Sequence, residues 1–216
     1  MTVFDGVFWV NHPQATYQAE IKPYQLSLAR RIGFDIPRTI ISNTPSHGET
    51  LADKGTLIVK TLDPAILNAG ERQAFIYANT ISATELRLSN ISNAPVIMQE
   101  TLIPKIDLRV TVVRGSIFAV TIKQNGHGID GDWRTHKDSV VYEAIDLPYE
   151  IQAKCRSLMK AMHLQFGAID LAFCNDRYYF LEINPTGEWA WLVDAAKLPI
   201  DEEIATALIE AEGRSI

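Results

Sequence analysis

Apolar and polar positions alternate in short blocks along the chain. Val7-Phe8-Trp9-Val10 is a continuous apolar run ended by Asn11-His12-Pro13, and it predicts a short buried strand. Gln18 to Ile32 places Leu26, Leu28, Ala29 and Ile32 partly on one helical face. Pro23 fits only in a first turn there, and Gly33 supplies a C-terminal stop. Ile36 to Ser42 reads as a strand, and Asn43 to Gly55 as a polar, turn-rich loop with room for one helical turn. Leu57 to Lys60 and Val96 to Glu100 read as further strands, with a short helix over Glu71 to Ala78 between them.

A long hairpin follows. Asp107 to Val113 and Ser116 to Lys123 are β-rich runs flanking Arg114-Gly115, a tight-turn signal. Asn125 to Asp138 is glycine-rich and polar, the pattern of a mobile loop, and Glu150 to Met162 is amphipathic with a helical period. Gly167 to Phe173 and Tyr178 to Asn184 read as strands around Cys174-Asn175-Asp176-Arg177. A last helix spans Asp201 to Ala211, capped by Asp201 behind Pro199. Strands in runs, with helices and hairpins interspersed, predict an α+β fold built on largely antiparallel sheets.

Composition narrows the function classes. A chain of 216 residues with 47% hydrophobic and 21% charged residues is globular, with length for one domain or two small lobes sharing a core. A net charge of −6 leaves no bulk cationic footprint, so neither nucleic acid nor a membrane surface is an expected partner. Cys155 and Cys174 cannot build a disulfide framework, and no Cys/His spacing suggests zinc. No secretory signal and no apolar run of membrane-spanning length is present, which predicts a cytoplasmic protein.

The sharpest chemical feature is Asp170 with Glu182 and Asn184. Alternation along a strand points Glu182 and Asn184 to one face, with Leu181 and Ile183 on the other. A three-residue turn, Asn175-Asp176-Arg177, would set Asp170 directly across from Glu182. The bland reading is the polar outer face of a sheet. Like charges opposed across strands are destabilising without a counter-cation, however, and oxygen donors on a rigid hairpin suit Mg²⁺. Isolated cations at Lys22, Lys60, Lys105, Arg109, Lys123 and Arg134 are singly ordinary surface residues. Together with a metal site they imply a polyanion, and Mg²⁺ with a triphosphate is the commonest such pair.

Gly126-His127-Gly128-Ile129-Asp130-Gly131 matches the dinucleotide fingerprint G-x-G-x-x-G, but Asp132-Trp133-Arg134-Thr135-His136 follows it, with no helix to receive a pyrophosphate. The segment reads instead as a flap. The histidines at 12, 47, 127, 136 and 163 have no ligand spacing, and Trp189-Ala190-Trp191 reads as packing.

Phe180 to Trp189 (FLEINPTGEW), preceded by Gly167-Ala168-Ile169-Asp170-Leu171, resembles the metal-binding end of ATP-grasp ligases. The wording is closest to the maturases of microviridin-type graspetides, and is also similar to the ribosomal-protein glutamate ligases. Ile103 to Val113, Asp132-Trp133-Arg134, and Lys22 ahead of Gln25-Leu26 and Ile36-Pro37-Arg38-Thr39 extend the likeness from about Asn11 to the C-terminus. The resemblance implies an ATP-grasp fold, two α+β lobes with largely antiparallel sheets sandwiching ATP. Residues 1–35 would be a remnant strand and helix of the preceding region, 36–99 the small lobe, and 100–216 the large lobe with the metal site.

It further implies that Asp170, Glu182 and Asn184 hold Mg²⁺. Lys22 and Lys60 would reach the phosphates, Gln99-Glu100-Thr101-Leu102 would form the adenine hinge, and Asp107 would meet the ribose. Arg109, Lys123 and Arg134 would face the phosphates or the acyl group. The implied activity joins a precursor-peptide side-chain carboxylate, activated as an acylphosphate, to a hydroxyl or amine as an ester or amide. Alternatives are a ligase adding amino acids to a protein C-terminus and a non-catalytic ATP-binding module. Members of the family usually carry a further N-terminal α/β domain, of which this chain is expected to keep only Val7 to Val10. That loss would expose Phe8 and Trp9 and open a route to a homodimer.

Overall fold

The computed structural model describes residues 7–53, 55–62, 66–69, 72–75 and 78–212. The chain opens with two helices, α1 (Pro13–Ala19) and α2 (Lys22–Ile32). The single helix expected over Gln18 to Ile32 is therefore divided, because Pro23 fits only a first turn and Ile21 takes an extended backbone ahead of it. Gly33 ends α2 in the left-handed conformation (φ 101°), the position for which glycine carries no steric cost.

Strand β1 (Thr39–Ser42), helix α3 (Pro45–Glu49), strand β2 (Thr56–Lys60) and the hairpin of β3 (Ile66–Ala69) and β4 (Arg72–Phe75) follow. Then come β5 (Asn79–Ser82), α4 (Ala83–Leu88) and β6 (Val96–Glu100). Four of these strands form an antiparallel sheet in the order β1-β6-β2-β5. Its core is Leu51, Leu57, Leu86 and Met98. The helix expected over Glu71 to Ala78 is corrected: its part Arg72–Phe75 is strand, paired with Ile66–Ala69. Glu71, Ile76 and Tyr77 lie outside the described residues. Helix propensity in so short a segment is a weak preference that strand pairing overrides.

The second sheet comprises β7 (Ile106–Val113), β8 (Ser116–Lys123), β9 (Val141–Ile145), β10 (Phe166–Cys174) and β11 (Arg177–Asn184), in the order β11-β10-β7-β8-β9. Helix α5 (Tyr149–Ala161) lies between β9 and β10, and α6 (Ala190–Ala196) and α7 (Ile200–Glu212) close the chain. One face of this sheet carries Leu108, Val110, Ile169, Leu171 and Ile183, packed with Ala19, Leu26, Ala29, Leu158 and Met159 from α1, α2 and α5. Val120, Ile122 and Phe166 pack with Trp133, Leu192 and Ile200 in a separate core.

Two expectations change at the edges of this frame. Val7 to Val10 form no strand, and Val7 is 53% exposed. A strand needs a neighbour for its backbone groups; among the described residues the segment has only the bridge Asn11 to Leu164. The Asn11 carboxamide does the joining, donating to Phe166 O and Pro185 O and accepting from Gln165 N and Phe166 N. The glycine-rich loop is partly ordered by Trp133–Ser139, a 3₁₀ segment, before β9. Gly128 lies so close to Lys105 O that a Cβ would stand 1.6 Å from it.

Candidate active site

The β10–β11 hairpin brings the acidic residues together by a route the sequence conceals. Its turn has two residues, Asn175 (φ 50°) and Asp176 (φ 58°), with Cys174 paired to Arg177. Continued regularly, that register would set Asp170 opposite Leu181. A β-bulge between Leu171 and Asp170 shifts it by one, so Asp170 pairs with Glu182 after all. Leu181, expected on the far face, lines the same cleft as Glu182.

Asp170 also pairs with Arg109 of β7, which pairs with Val120 of β8. Glu182, Asp170 and Arg109 thus form one row across the sheet, on one face. Arg109 and Asp170 are both buried, with Arg109 Nη1 2.9 Å from Asp170 Oδ1. The pair is not aligned as a hydrogen bond, so Asp170 Oδ1 is a buried acceptor without a hydrogen-bond partner. The other oxygen of Asp170 accepts from Arg134 Nη2 at 2.7 Å, and the same nitrogen lies 3.3 Å from Glu182 Oε1. Asp132 holds the Arg134 guanidinium from its other side, at 3.3 Å.

A cleft of about 410 Å³ opens over this row. Asp170, Leu181, Glu182 and Asn184 line it from the large sheet, and Ile58, Lys60 and Gln99 from the small one. Lys22 enters from α2 and donates to Thr61 O at 3.2 Å. The segment Gln99-Glu100-Thr101-Leu102 borders the cleft. Gln99 donates to Thr39 Oγ1, Glu100 accepts from Arg38, and Thr101 donates to Thr56 O, so each polar side chain of the segment is anchored. Asp107 lines the wall, buried and ion-paired with Lys105.

The electrostatics follow from burial and pairing. Burial raises the Asp170 carboxyl, against the pull of Arg109 and Arg134. Burial acts in the same direction on Glu182, but Lys60, Arg134 and Lys22 outweigh it and hold this group at about 2. Burial pushes the Lys60 ammonium below its ordinary value, with Glu182 opposing. Burial also works against charge on Arg134, yet Asp170, Glu182 and Asp132 keep its pKa above the usual value.

Most of the residues expected at the site meet here: Lys22, Lys60, Gln99 to Leu102, Asp107, Arg134, Asp170, Glu182 and Asn184. Arg109 sits behind Asp170 rather than on the cleft wall. Lys123 pairs with Glu143 at 2.6 Å and does not line the cleft. Lys105, one of the isolated cations read as answering a polyanion, also lines the cleft, and Asp132 lines it without a role expected from sequence; only its nearness to Arg134 could have signalled one. Among the described residues no group of three His, Cys, Asp or Glu side chains could hold a metal ion. The donor set on the cleft is instead two carboxylates and the Asn184 amide, all oxygen, which fits a hard cation. No described helix is long and apolar enough to cross a membrane.

Two antiparallel sheets facing one another across such a cleft define the ATP-grasp architecture, and solved structures bear this out. The chain superposes on a RiPP-associated ATP-grasp ligase of Chryseobacterium gregarium, in complex with ADP and a leader and core peptide. The TM-score is 0.80 at 27% identity, over 93% of this chain and 62% of that one. The macrocyclase MdnC of Microcystis aeruginosa, bound to the precursor peptide MdnA, gives 0.77 at 29% identity, over 93% and 63%. PsnB complexed with a minimal precursor, Mg and ADP gives 0.73 at 26%, over 95% and 62%. The chain has the ATP-grasp fold in the form these peptide-modifying ligases share, and it spans just over three fifths of their length. No protein-family model and no curated protein matches the sequence.

Proposed function

We propose that this chain is an ATP- and Mg²⁺-dependent ligase that joins a side-chain carboxylate of a ribosomally made peptide to a hydroxyl or amine. The observation carrying this reading is the gathering of Asp170, Glu182 and Asn184 in one cleft with Lys22, Lys60 and Arg134. The likeness to ligases bound to ADP, Mg and precursor peptides supports the choice of ligands.

Adenine would lie between Ile58 of the small sheet and Leu181 of the large one, against the anchored segment 99–102. Asp107 would accept from the ribose. Asp170, Glu182 and Asn184 would hold Mg²⁺, which when bound neutralises phosphate charge. Lys60 and Lys22 supply fixed positive charge for the phosphates. A carboxylate attacking the γ-phosphorus is an anion approaching a polyanion, and these cations lower that repulsion. The attacking oxygen forms the new bond as the bond to the β–γ bridging oxygen breaks, leaving an acylphosphate and ADP. Arg134, already holding two carboxylates, is suited to receive the acceptor's carboxylate once nucleotide and metal occupy the site. A hydroxyl or amine then attacks the acyl carbon, releasing phosphate. Arg109 acts from behind, fixing Asp170. Trp133, buried at 6% exposure, roots Arg134 beside the cleft, where the segment shields the acylphosphate from water.

Incubation with ATP, Mg²⁺ and an acidic peptide rich in Thr and Ser or Lys tests the reading. The expected result is ADP together with peptide lighter by one water per bond formed. Nucleotide binding without turnover on any acidic peptide would reduce the chain to a binding module.

A further inference from the structure

Gln25 is a buried polar residue that the mechanism above does not use. It lies on α2 with 3% exposure. Its Nε2 donates to Ile183 O at 2.8 Å and to Ala19 O at 2.6 Å, and its Oε1 accepts from Ile183 N at 3.0 Å. Both amide hydrogens and one oxygen lone pair are engaged, so the carboxamide has little freedom to rotate.

The peptide groups it grips belong to the residue between Glu182 and Asn184. Strand β11 is the edge of the five-stranded sheet, so on its outer side no strand is available to fix it. On its inner side the ladder is interrupted by the bulge just before Glu182. Asp35 bridges the outer edge at Tyr179 and accepts from Phe180 N at 2.8 Å, and three residues further on the Gln25 amide takes the place of a neighbouring strand at Ile183. Ile183 faces the core at 1% exposure, and alternation turns Glu182 and Asn184 away from it.

We propose that Gln25 is a positioning residue for the cation site: by holding the Ile183 backbone on its free edge, it sets the separation and direction of Glu182 and Asn184. The inference rests on the reading of those residues as Mg²⁺ ligands. Gln25 borders the cleft, but both its amide hydrogens are spent on backbone carbonyls, so its action on the cation site runs through Ile183. Helix α2 also carries Lys22, so one helix fixes a phosphate-facing cation and, through Gln25, the backbone of the metal ligands.

The test compares Gln25→Met, which keeps length and volume and removes all three hydrogen bonds, with Gln25→Asn, whose shorter amide cannot span both groups of Ile183. ADP affinity is measured by calorimetry with and without Mg²⁺, and Mn²⁺ binding in the presence of ADP by electron paramagnetic resonance. The expected result is a loss of roughly ten- to hundredfold in the Mg²⁺-dependent gain of ADP affinity and in Mn²⁺ affinity, with metal-free ADP affinity within about twofold of the unaltered protein. Should Gln25→Met fail to fold, Gln25→Asn carries the comparison, with a smaller loss in the same direction. A variant that folds and keeps the full Mg²⁺ gain, or loses metal-free and metal-dependent affinity in parallel, overturns the positioning role alone. No Mg²⁺ gain in the unaltered protein overturns the cation site itself, and the role of Gln25 with it.

Discussion

Glu182 and Asp170 face each other across two strands, yet their surroundings drive them apart. Burial raises Asp170. Burial also acts to raise Glu182, but Lys60, Arg134 and Lys22 prevail and lower it from 4.5 to about 2. A carboxylate whose folded pKa lies below its unfolded one stabilises the fold above the unfolded value. That contribution is lost as pH falls through the folded one. Here the window runs from pH 4.5 down to about 2. Glu182→Gln is therefore expected to destabilise the metal-free protein most at neutral pH, by on the order of 3 kcal/mol as an upper bound. Denaturant unfolding of both proteins at pH 7 and pH 3 measures the gap, which should narrow at the lower pH. A gap of constant size would show that Glu182 does not balance the cleft lysines.

The β10–β11 hairpin shows how an element can deliver a correct pairing through two departures that cancel. The turn is shorter by one residue than the odd-numbered turn the pairing seemed to require, and the bulge restores the register. The bulge also adds Leu181 to the cleft wall, which regular alternation would have turned toward the core. Neither departure has a signature in the apolar pattern, since Leu181 between Phe180 and Glu182 reads as ordinary strand. The chemistry of the hairpin was legible in Asp170, Glu182 and Asn184; its geometry depended on pairing. The same holds for Arg109, whose interruption of an apolar run marks it as unusual. Only the non-local register of β7 with β10 puts it behind Asp170. Lys123 is taken by Glu143 on β9, a strand between the loop ending at Asp138 and the helix beginning near Glu150, where the apolar pattern predicts no element. The turn itself invites a test. Asn175 and Asp176 both have positive φ, the shape of a type I′ turn, which prefers glycine at its second position. Asp176→Gly should stabilise the fold by about 1 kcal/mol. Because the turn lies at the far end of the hairpin from Asn184, Mg²⁺–ADP affinity should be unchanged, and a melting curve with a binding isotherm checks both.

At the scale of the molecule, a chain with net charge −6 presents a cleft whose carboxylates are matched by its own cations. Arg134 is a member of that balance that does not come from a strand. It comes from the loop ahead of β9, anchored by buried Ile129 and Trp133, with its guanidinium 5.1 Å from the Trp133 ring centre. From there it joins that loop to β10 and β11. Arg134→Ala leaves Asp170 and Glu182 opposed across the strands with one compensating charge removed, a like-charge arrangement that destabilises a sheet. The metal-free variant should melt lower, by roughly 2–4 °C for each kcal/mol lost in a chain of this length. Mg²⁺ without nucleotide should then restore more stability to the variant than to the unaltered protein, because in the latter the guanidinium already neutralises the carboxylates the ion would bind. Melting temperatures in MgCl₂ against NaCl of equal ionic strength separate this from screening. Equal Mg²⁺ shifts in the two proteins would mean that Arg134 and the ion do not share a site.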